Sequence, residues 1–98
     1  MKDNLKDVGI WGQRHYQYLK ENKSSVIGVM RMNGNLISYL QSVDEQAEEM
    51  VFQLVKQHAK QEGVTEDLKR RDQMAWVGAM NNIRDRVNEV VLNEVILA

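Results

Sequence analysis

The sequence predicts an all-α protein, a small helical bundle built on a long antiparallel helical hairpin with two short helices before it. The 98 residues contain no proline, and apolar residues recur at spacings of three and four over two long segments, 35–62 and 65–96. Glycine, asparagine and helix-capping residues separate these segments from each other and from residues 9–34. We therefore expect one helical domain over residues 1–98, with the two short helices in 9–34.

Residues 9–34 carry the signals of two short helices. Ser24, whose hydroxyl can accept hydrogen bonds from unpaired backbone N–H groups, is the predicted N-cap of the second helix. That helix is expected to end at Asn33-Gly34, a pair that readily forms a turn. Because Val26 to Met30 is also strand-like, a β-hairpin turning at Asn33-Gly34 remains the alternative. The residues expected to face inward from the first helix are Trp11, His15, Tyr18 and Leu19.

The two long segments each carry an apolar stripe. The predicted link between them is Glu62-Gly63-Val64, and Thr65 followed by two acids is a strong start for the last helix. Each stripe is wide enough to need more partners than the other helix alone, so we favour a homodimer, although a compact monomer also fits. The stripes comprise Leu36, Leu40, Val43, Ala47, Met50 and Leu54 in the first helix and Trp76, Met80, Ile83, Val87 and Val90 in the second.

Composition excludes several classes of function. There is no cysteine, which agrees with a cytoplasmic protein, and there is neither a signal-peptide pattern nor an apolar run long enough to cross a membrane. The histidines lack local partners, and no glycine-rich phosphate loop or nucleophile motif is present. We therefore expect no enzyme activity, no metal site, no cofactor and no small-molecule substrate.

An acidic group occupies the outer face of the first long helix. A pair of carboxylates four residues apart can share a metal ion, but no histidine follows a glutamate at the spacing that helical di-iron sites use. A solvated face is the favoured interpretation, and contact with a partner that normally binds nucleic acid is the functional alternative. The group comprises Asp44, Glu45, Glu48 and Glu49.

Two basic groups are the candidates for nucleic-acid binding. Lys69, Arg70 and Arg71 follow one another at the start of the last segment, and Arg14 and Lys20 lie among aromatic residues of the first helix. Such mixtures can contact phosphates and stack on bases. Solvated helix surfaces with ion pairs four residues apart explain the same residues, and the net charge of −1 argues against a large phosphate footprint.

A polar group interrupts a second stripe of the last helix. Arg84 is predicted to lie between two apolar stripes, where it could pair with Asp72 or Glu94 across a subunit boundary. It could instead donate hydrogen bonds to Asn81 and Asn88. A structural polar network is favoured over contact with a ligand.

Several short stretches are distinctive, and they are Tyr18 to Glu21, Val43 to Ala47, Glu62 to Glu66, Asp72 to Met74 with Trp76-Val77, Met80-Asn81, Ile83-Arg84, and Val91 to Glu94. In order and spacing they resemble the TnpV family, small proteins encoded by mobilisable transposons of clostridia and related Firmicutes. The resemblance implies an accessory protein of an element moved by a large serine recombinase, and it carries over no catalytic residue. It nominates as a combined structural and interaction patch Asp72, Gln73, Trp76, Asn81, Arg84 and Glu94. The segment from Trp11 to Tyr16 is less basic than the family pattern, so any DNA binding there is in doubt.

Three functions remain open from the sequence. The first is binding to the DNA or the recombinase of the mobile element. The second is inhibition of a host defence nuclease, in the manner of an anti-CRISPR protein, through the acidic group. The third is a dimeric scaffold or antitoxin-like partner that makes no contact with nucleic acid.

Overall fold

The computed structural model describes residues 4–97, and every regular element in that range is helical, which confirms the all-α prediction. The helices α1 and α2 are short, α3 is the longest, and two further helices follow it. A single π-helical turn completes the chain at Leu92–Ile96. The bounds are α1 Ile10–Asn22, α2 Ser24–Asn33, α3 Leu36–Gln61, α4 Glu66–Arg71 and α5 Gln73–Val91.

The segment left open between helix and hairpin is the helix α2. Gly34 ends it in the left-handed region with φ of 73°, and its N–H bonds back to the Arg31 carbonyl, so the turn pair is a helix C-terminus. The predicted N-cap is wrong by one residue. Lys23 is in the cap position and Ser24 is already helical, with no side-chain cap bond at this end. The Lys23 N–H instead bonds to the Leu19 carbonyl, which ends α1 and leaves no room for a longer link.

The predicted single helix from Thr65 onwards is broken at Asp72. The backbone of Asp72 is extended, with φ of −151° and ψ of 88°, and its side chain accepts a hydrogen bond from the Ala75 N–H. Thr65 caps α4 in the same way through the Leu68 N–H. Aspartate competes with the helix ladder because its short side chain satisfies the unpaired N–H groups of a new first turn. Apolar periodicity continues across Asp72, so the sequence pattern could not reveal the break between the two helices.

The core lies along α3 and α5. The stripe predicted on α3 is buried over its first half, and on α5 Ile83 and Val87 are fully buried. One member of the predicted α5 stripe is wrong: Val90 is 39% exposed, and Val91 takes its place with no exposed surface. The four-residue steps from Ile83 to Val91, followed by the π turn, also bring Ile96 into this core.

A second, smaller core joins α1, α2 and the start of α3. Its buried residues are Val8, Leu19, Ile27, Leu36 and Leu40. The described chain measures 55 × 22 × 17 Å, and α4 contacts only α5 whereas α2 contacts only α1 and α3. The molecule is therefore elongated, with α2 and α4 held by different parts of it. None of the helices described combines the length and the apolar character needed to cross a membrane.

Candidate functional site

Asp44 is a structural residue and does not lie on a solvated acidic face. Its Oδ1 accepts hydrogen bonds from the backbone N–H groups of Trp11, at 3.0 Å, and Gly12, at 3.1 Å. The first turn of a helix has unpaired N–H groups and a partial positive charge, and Gly9 at the N-cap position has no side chain to satisfy them. A carboxylate from α3 therefore caps α1, and this cap sets how the two helices meet.

Two glycines permit this close approach. A Cβ at Gly9 would collide with the Asp44 carboxylate, and a Cβ at Gly12 would lie 2.6 Å from the Leu40 carbonyl oxygen. Both contacts are shorter than normal packing allows. The structural role of these glycines is to let α1 contact α3.

A buried histidine of α1 contacts the π-helical turn that follows α5. His15 Nδ1 lies 2.7 Å from the Ile96 carbonyl oxygen, and Nε2 lies 2.8 Å from the Tyr39 hydroxyl. Both ring nitrogens therefore have partners, with the carbonyl requiring Nδ1 to carry a proton. Trp11, which could have been a partner anchor, is buried against the larger core. This joint has the geometry of a structural connection.

The remaining carboxylates of the acidic group are exposed. Glu49 accepts a hydrogen bond from the Gln53 side chain one turn along the helix, and Glu48 lies at the edge of a groove described below. Glu45 has no hydrogen bond or ion pair in the range 4–97. Within that same range, no cluster of histidine, aspartate and glutamate side chains could hold a metal ion. The structure thus leaves three of the four acids on the surface.

The two basic groups do not form one surface. Arg14 stacks over the Trp11 ring, with 5.2 Å from Cζ to the ring centroid, and Lys20 is exposed on the same helix. On α4, Arg70 and Arg71 both pair with Asp67, at 3.6 Å and 2.9 Å. α1 and α4 make no contact with each other. A nucleic acid would therefore meet two separate groups, one of which is partly neutralised by its own helix.

The polar network expected around Arg84 is not formed within the chain. Among residues 4–97, Arg84 makes no hydrogen bond or ion pair, and Asn81, Asn88 and Glu94 are exposed. Asp72 is the cap of α5, with its Oδ1 3.1 Å from the Ala75 nitrogen, and is therefore committed locally. Gln73 begins that helix and is exposed. Of this group, Trp76 and Arg84 meet in a common feature, the groove between α3 and α5.

This groove is a concave feature of the described chain, with a volume of about 720 Å³. Two rows of side chains, each stepping by four residues, form its walls. One row runs along α3 and the other along α5, and Val64 and the start of α4 close one end. The rows are Val51, Val55 and Ala59 on α3 and Trp76, Met80 and Arg84 on α5. We refer to these six residues with Phe52, Glu48, Lys56 and Glu66 as the apolar groove.

The rim of the apolar groove combines exposed aromatic surface with charges of both signs. Phe52 is 61% exposed, with Lys56 Nζ 6.0 Å from its ring centroid, and Trp76 carries the Lys69 Nζ at 4.6 Å. A large apolar side chain exposed beside a groove is typical of a surface that another protein covers. From the sequence, Trp76 was placed on an apolar stripe and in the nominated interaction patch, whereas Phe52 was not singled out. The one available signal was the position of Phe52 beside the α3 stripe.

One ion pair links the end of α3 to α5 outside the apolar groove. Arg86 Nη2 lies 2.8 Å from both carboxylate oxygens of Glu62, and this hydrogen bond lowers the pKa of the Glu62 carboxyl below its ordinary value. The charge of Arg86 lowers that pKa further, and His58 at 3.6 Å acts in the same direction. The pair joins the end of α3 to the middle of α5. Because it is solvent-exposed, its contribution to stability is small.

Fold and site together define a small helical protein whose main surface feature is an open apolar groove with a charged rim. The chain belongs to the TnpV family, described as transposon-encoded protein TnpV, whose family model matches residues 1–96. The family predicted from the sequence is therefore confirmed. Neither a curated protein nor a solved structure matches the chain.

Proposed function

We propose that this protein is a non-catalytic accessory protein of its transposon and acts by binding another protein in the apolar groove. The observation that carries the proposal is the groove itself, in which exposed Phe52 and half-buried Trp76 stand beside charges that have no ion-pair partner in residues 4–97. Interfaces are typically built this way, with aromatic anchors at the centre and a polar rim around them. The recombinase that moves the element is the first partner to test.

Binding through an inserted helix suits this geometry. The walls are two rows of side chains spaced by four residues, and such rows on two adjacent helices accept the ridge of a third helix between them. Along α3 the groove extends over 12 residues from Glu48 to Ala59, which is roughly 18 Å at 1.5 Å per residue. About three turns of an amphipathic helix match that length.

The basic groups support DNA binding less well than the groove supports protein binding. Arg70 and Arg71 are paired with Asp67, and Arg14 and Lys20 belong to an element that does not touch α4. Only a few free cations would meet a phosphate backbone at any one place. The acidic group offers still less for inhibition of a nuclease, because Asp44 is committed to capping α1.

Pull-down of the purified recombinase with the full chain tests the proposal. We expect wild-type protein and Gln57→Glu to retain the recombinase and Phe52→Glu to lose it, because only Phe52 lines the apolar groove. Both variants add one negative charge to an exposed position of α3, so they are matched in charge and helix. Failure of wild-type protein to bind the recombinase, or equal binding by both variants, would overturn the proposal.

Fluorescence anisotropy with element-end and scrambled duplexes provides the competing measurement. Salt-sensitive binding that prefers element ends and disappears in Arg14→Ala would favour DNA as the direct partner. We expect no such preference, since the two basic groups are separate and the net charge is −1.

A further inference from the structure

A second apolar surface lies at the other end of the molecule, on α2. Val26, Val29 and Met32 are 39%, 57% and 89% exposed, and they follow one another at steps of three. The opposite face of the same helix carries Ile27, which is buried against the smaller core. α2 is therefore apolar on both faces, and only one of them is covered within the chain. We call the uncovered row of three side chains the α2 ridge.

We propose that the α2 ridge of one copy occupies the apolar groove of a second copy, so that the free protein is a reciprocal dimer in which each groove is covered. α2 contains 10 residues, roughly 15 Å, and the groove runs along 12 residues of α3, roughly 18 Å, so the helix fits within the groove. The two surfaces thus agree in length and in apolar character.

An α2 helix that covers the groove must come from another copy of the chain. Within one chain α2 contacts only α1 and α3, whereas the groove is formed by α3, α4 and α5, and α2 makes no contact with either of the last two. In the proposed dimer two copies of this 55 Å molecule lie side by side in opposite directions, with each α2 in the partner's groove. This exchange is closed by a two-fold axis and does not propagate into a filament.

Reciprocity also increases the area that the dimer buries. A specific interface buries about 800 Å² per partner, which exceeds what one ten-residue helix offers on a single face. Two α2 contacts, with the flanks of the molecules between them, double the buried surface. This inference deepens the proposed function and rests on it for one consequence. A partner protein that binds the groove would have to displace α2 of the second copy.

Disulfide trapping tests the dimer directly, because the chain has no cysteine of its own. Met32→Cys mixed with Phe52→Cys should give a mixed disulfide on oxidation, identified by mass spectrometry of the linked peptides. Met32→Cys mixed with Gln57→Cys is the matched control, since Gln57 is exposed on α3 outside the groove. In the proposed register Met32 lies against Phe52, and disulfides require Cα atoms within about 7 Å, so only the first pair should be trapped. Equal yields from both mixtures, or no mixed disulfide, would overturn the proposal.

Sedimentation velocity of the full chain over a concentration series is the second measurement. Wild-type protein should form a dimer, and Met32→Glu should weaken it by more than about tenfold, because a carboxylate enters an apolar groove. Met32 is 89% exposed, so this variant should fold normally. A monomer at every concentration would refute the inference.

The two proposals fail separately. If Met32→Glu is monomeric and still binds the recombinase, both stand. If wild-type protein is monomeric while Phe52→Glu loses the recombinase, the groove binds a partner but not a second copy. If the mixed disulfide forms and the recombinase is not retained, the dimer stands and the proposed function fails.

Discussion

Replacing Asp44 tests whether the α1–α3 joint depends on a carboxylate cap supplied by another helix. Asp44→Ala removes the acceptor for the N–H groups of Trp11 and Gly12, which the structure places 3.0 Å and 3.1 Å from Oδ1. No other side chain can replace it, because Gly9 holds the N-cap position. Both N–H groups would then lose a charged partner in a half-buried site.

The expected cost follows from two magnitudes. Loss of an N-cap costs about 0.5–2 kcal/mol, and a hydrogen bond to a charged group contributes about 1.5–3 kcal/mol. We therefore expect Asp44→Ala to lower the free energy of unfolding by about 2–3 kcal/mol. For a domain of this size, that corresponds to a fall in Tm of about 10–20 °C. Asp44→Asn retains a neutral acceptor, so its cost should be about 1 kcal/mol.

Urea unfolding followed by circular dichroism measures these differences. Glu45→Ala is the matched control, because Glu45 is the next residue on α3, is exposed and has no hydrogen bond or ion pair in residues 4–97. Its effect should stay within about 0.5 kcal/mol. If Asp44→Ala costs no more than Glu45→Ala, the cap does not hold α1 against α3.

Three further outcomes are expected. Gly12→Ala should destabilise the fold by about 1–3 kcal/mol, because its Cβ would meet the Leu40 carbonyl. Gly78→Ala, at an open helical position, should stabilise the fold by about 0.5–1 kcal/mol. If both variants change the stability measured by thermal unfolding in the same direction, the close approach at Gly12 is contradicted. Tyr39→Phe removes the hydroxyl partner of the buried histidine and should cost about 1 kcal/mol in urea unfolding, and no loss would mean that this hydrogen bond has no net value. The lowered pKa of Glu62 stabilises the folded protein above the pKa of this carboxyl in the unfolded chain, and the contribution is lost as the pH falls through the folded-state pKa. Glu62→Gln should therefore reduce the loss of stability measured on acidification. An unchanged loss would exclude Glu62 as a contributor.

The helices and most of the core could be predicted from the sequence, because local signals determine both. Trp11, His15 and Leu19 were expected to face inward and are buried, and the stripe from Leu36 to Ala47 is buried throughout. Periodicity reports which face of a helix is apolar, but it does not report breaks that preserve the pattern. For that reason Asp72, which caps a new helix, was read as part of a continuous one.

The candidate site was the part that sequence reasoning reached least. Trp76 and Arg84 were named as members of a structural and interaction patch, but the apolar groove they line with Phe52 was not foreseen. A groove exists only once two helices have a distance and an angle between them. The spacing of residues along one helix determines neither the distance nor the angle between two helices.

By itself the sequence determined an all-helical chain, the family to which it belongs and the apolar stripes that must be buried. Those properties depend on local propensity and on periodicity of side chains along one helix. Only the tertiary structure decided that Asp44 caps α1, that the basic groups lie apart, and that a groove opens between α3 and α5. Each of these arises between residues distant in the chain, where packing geometry sets which groups meet.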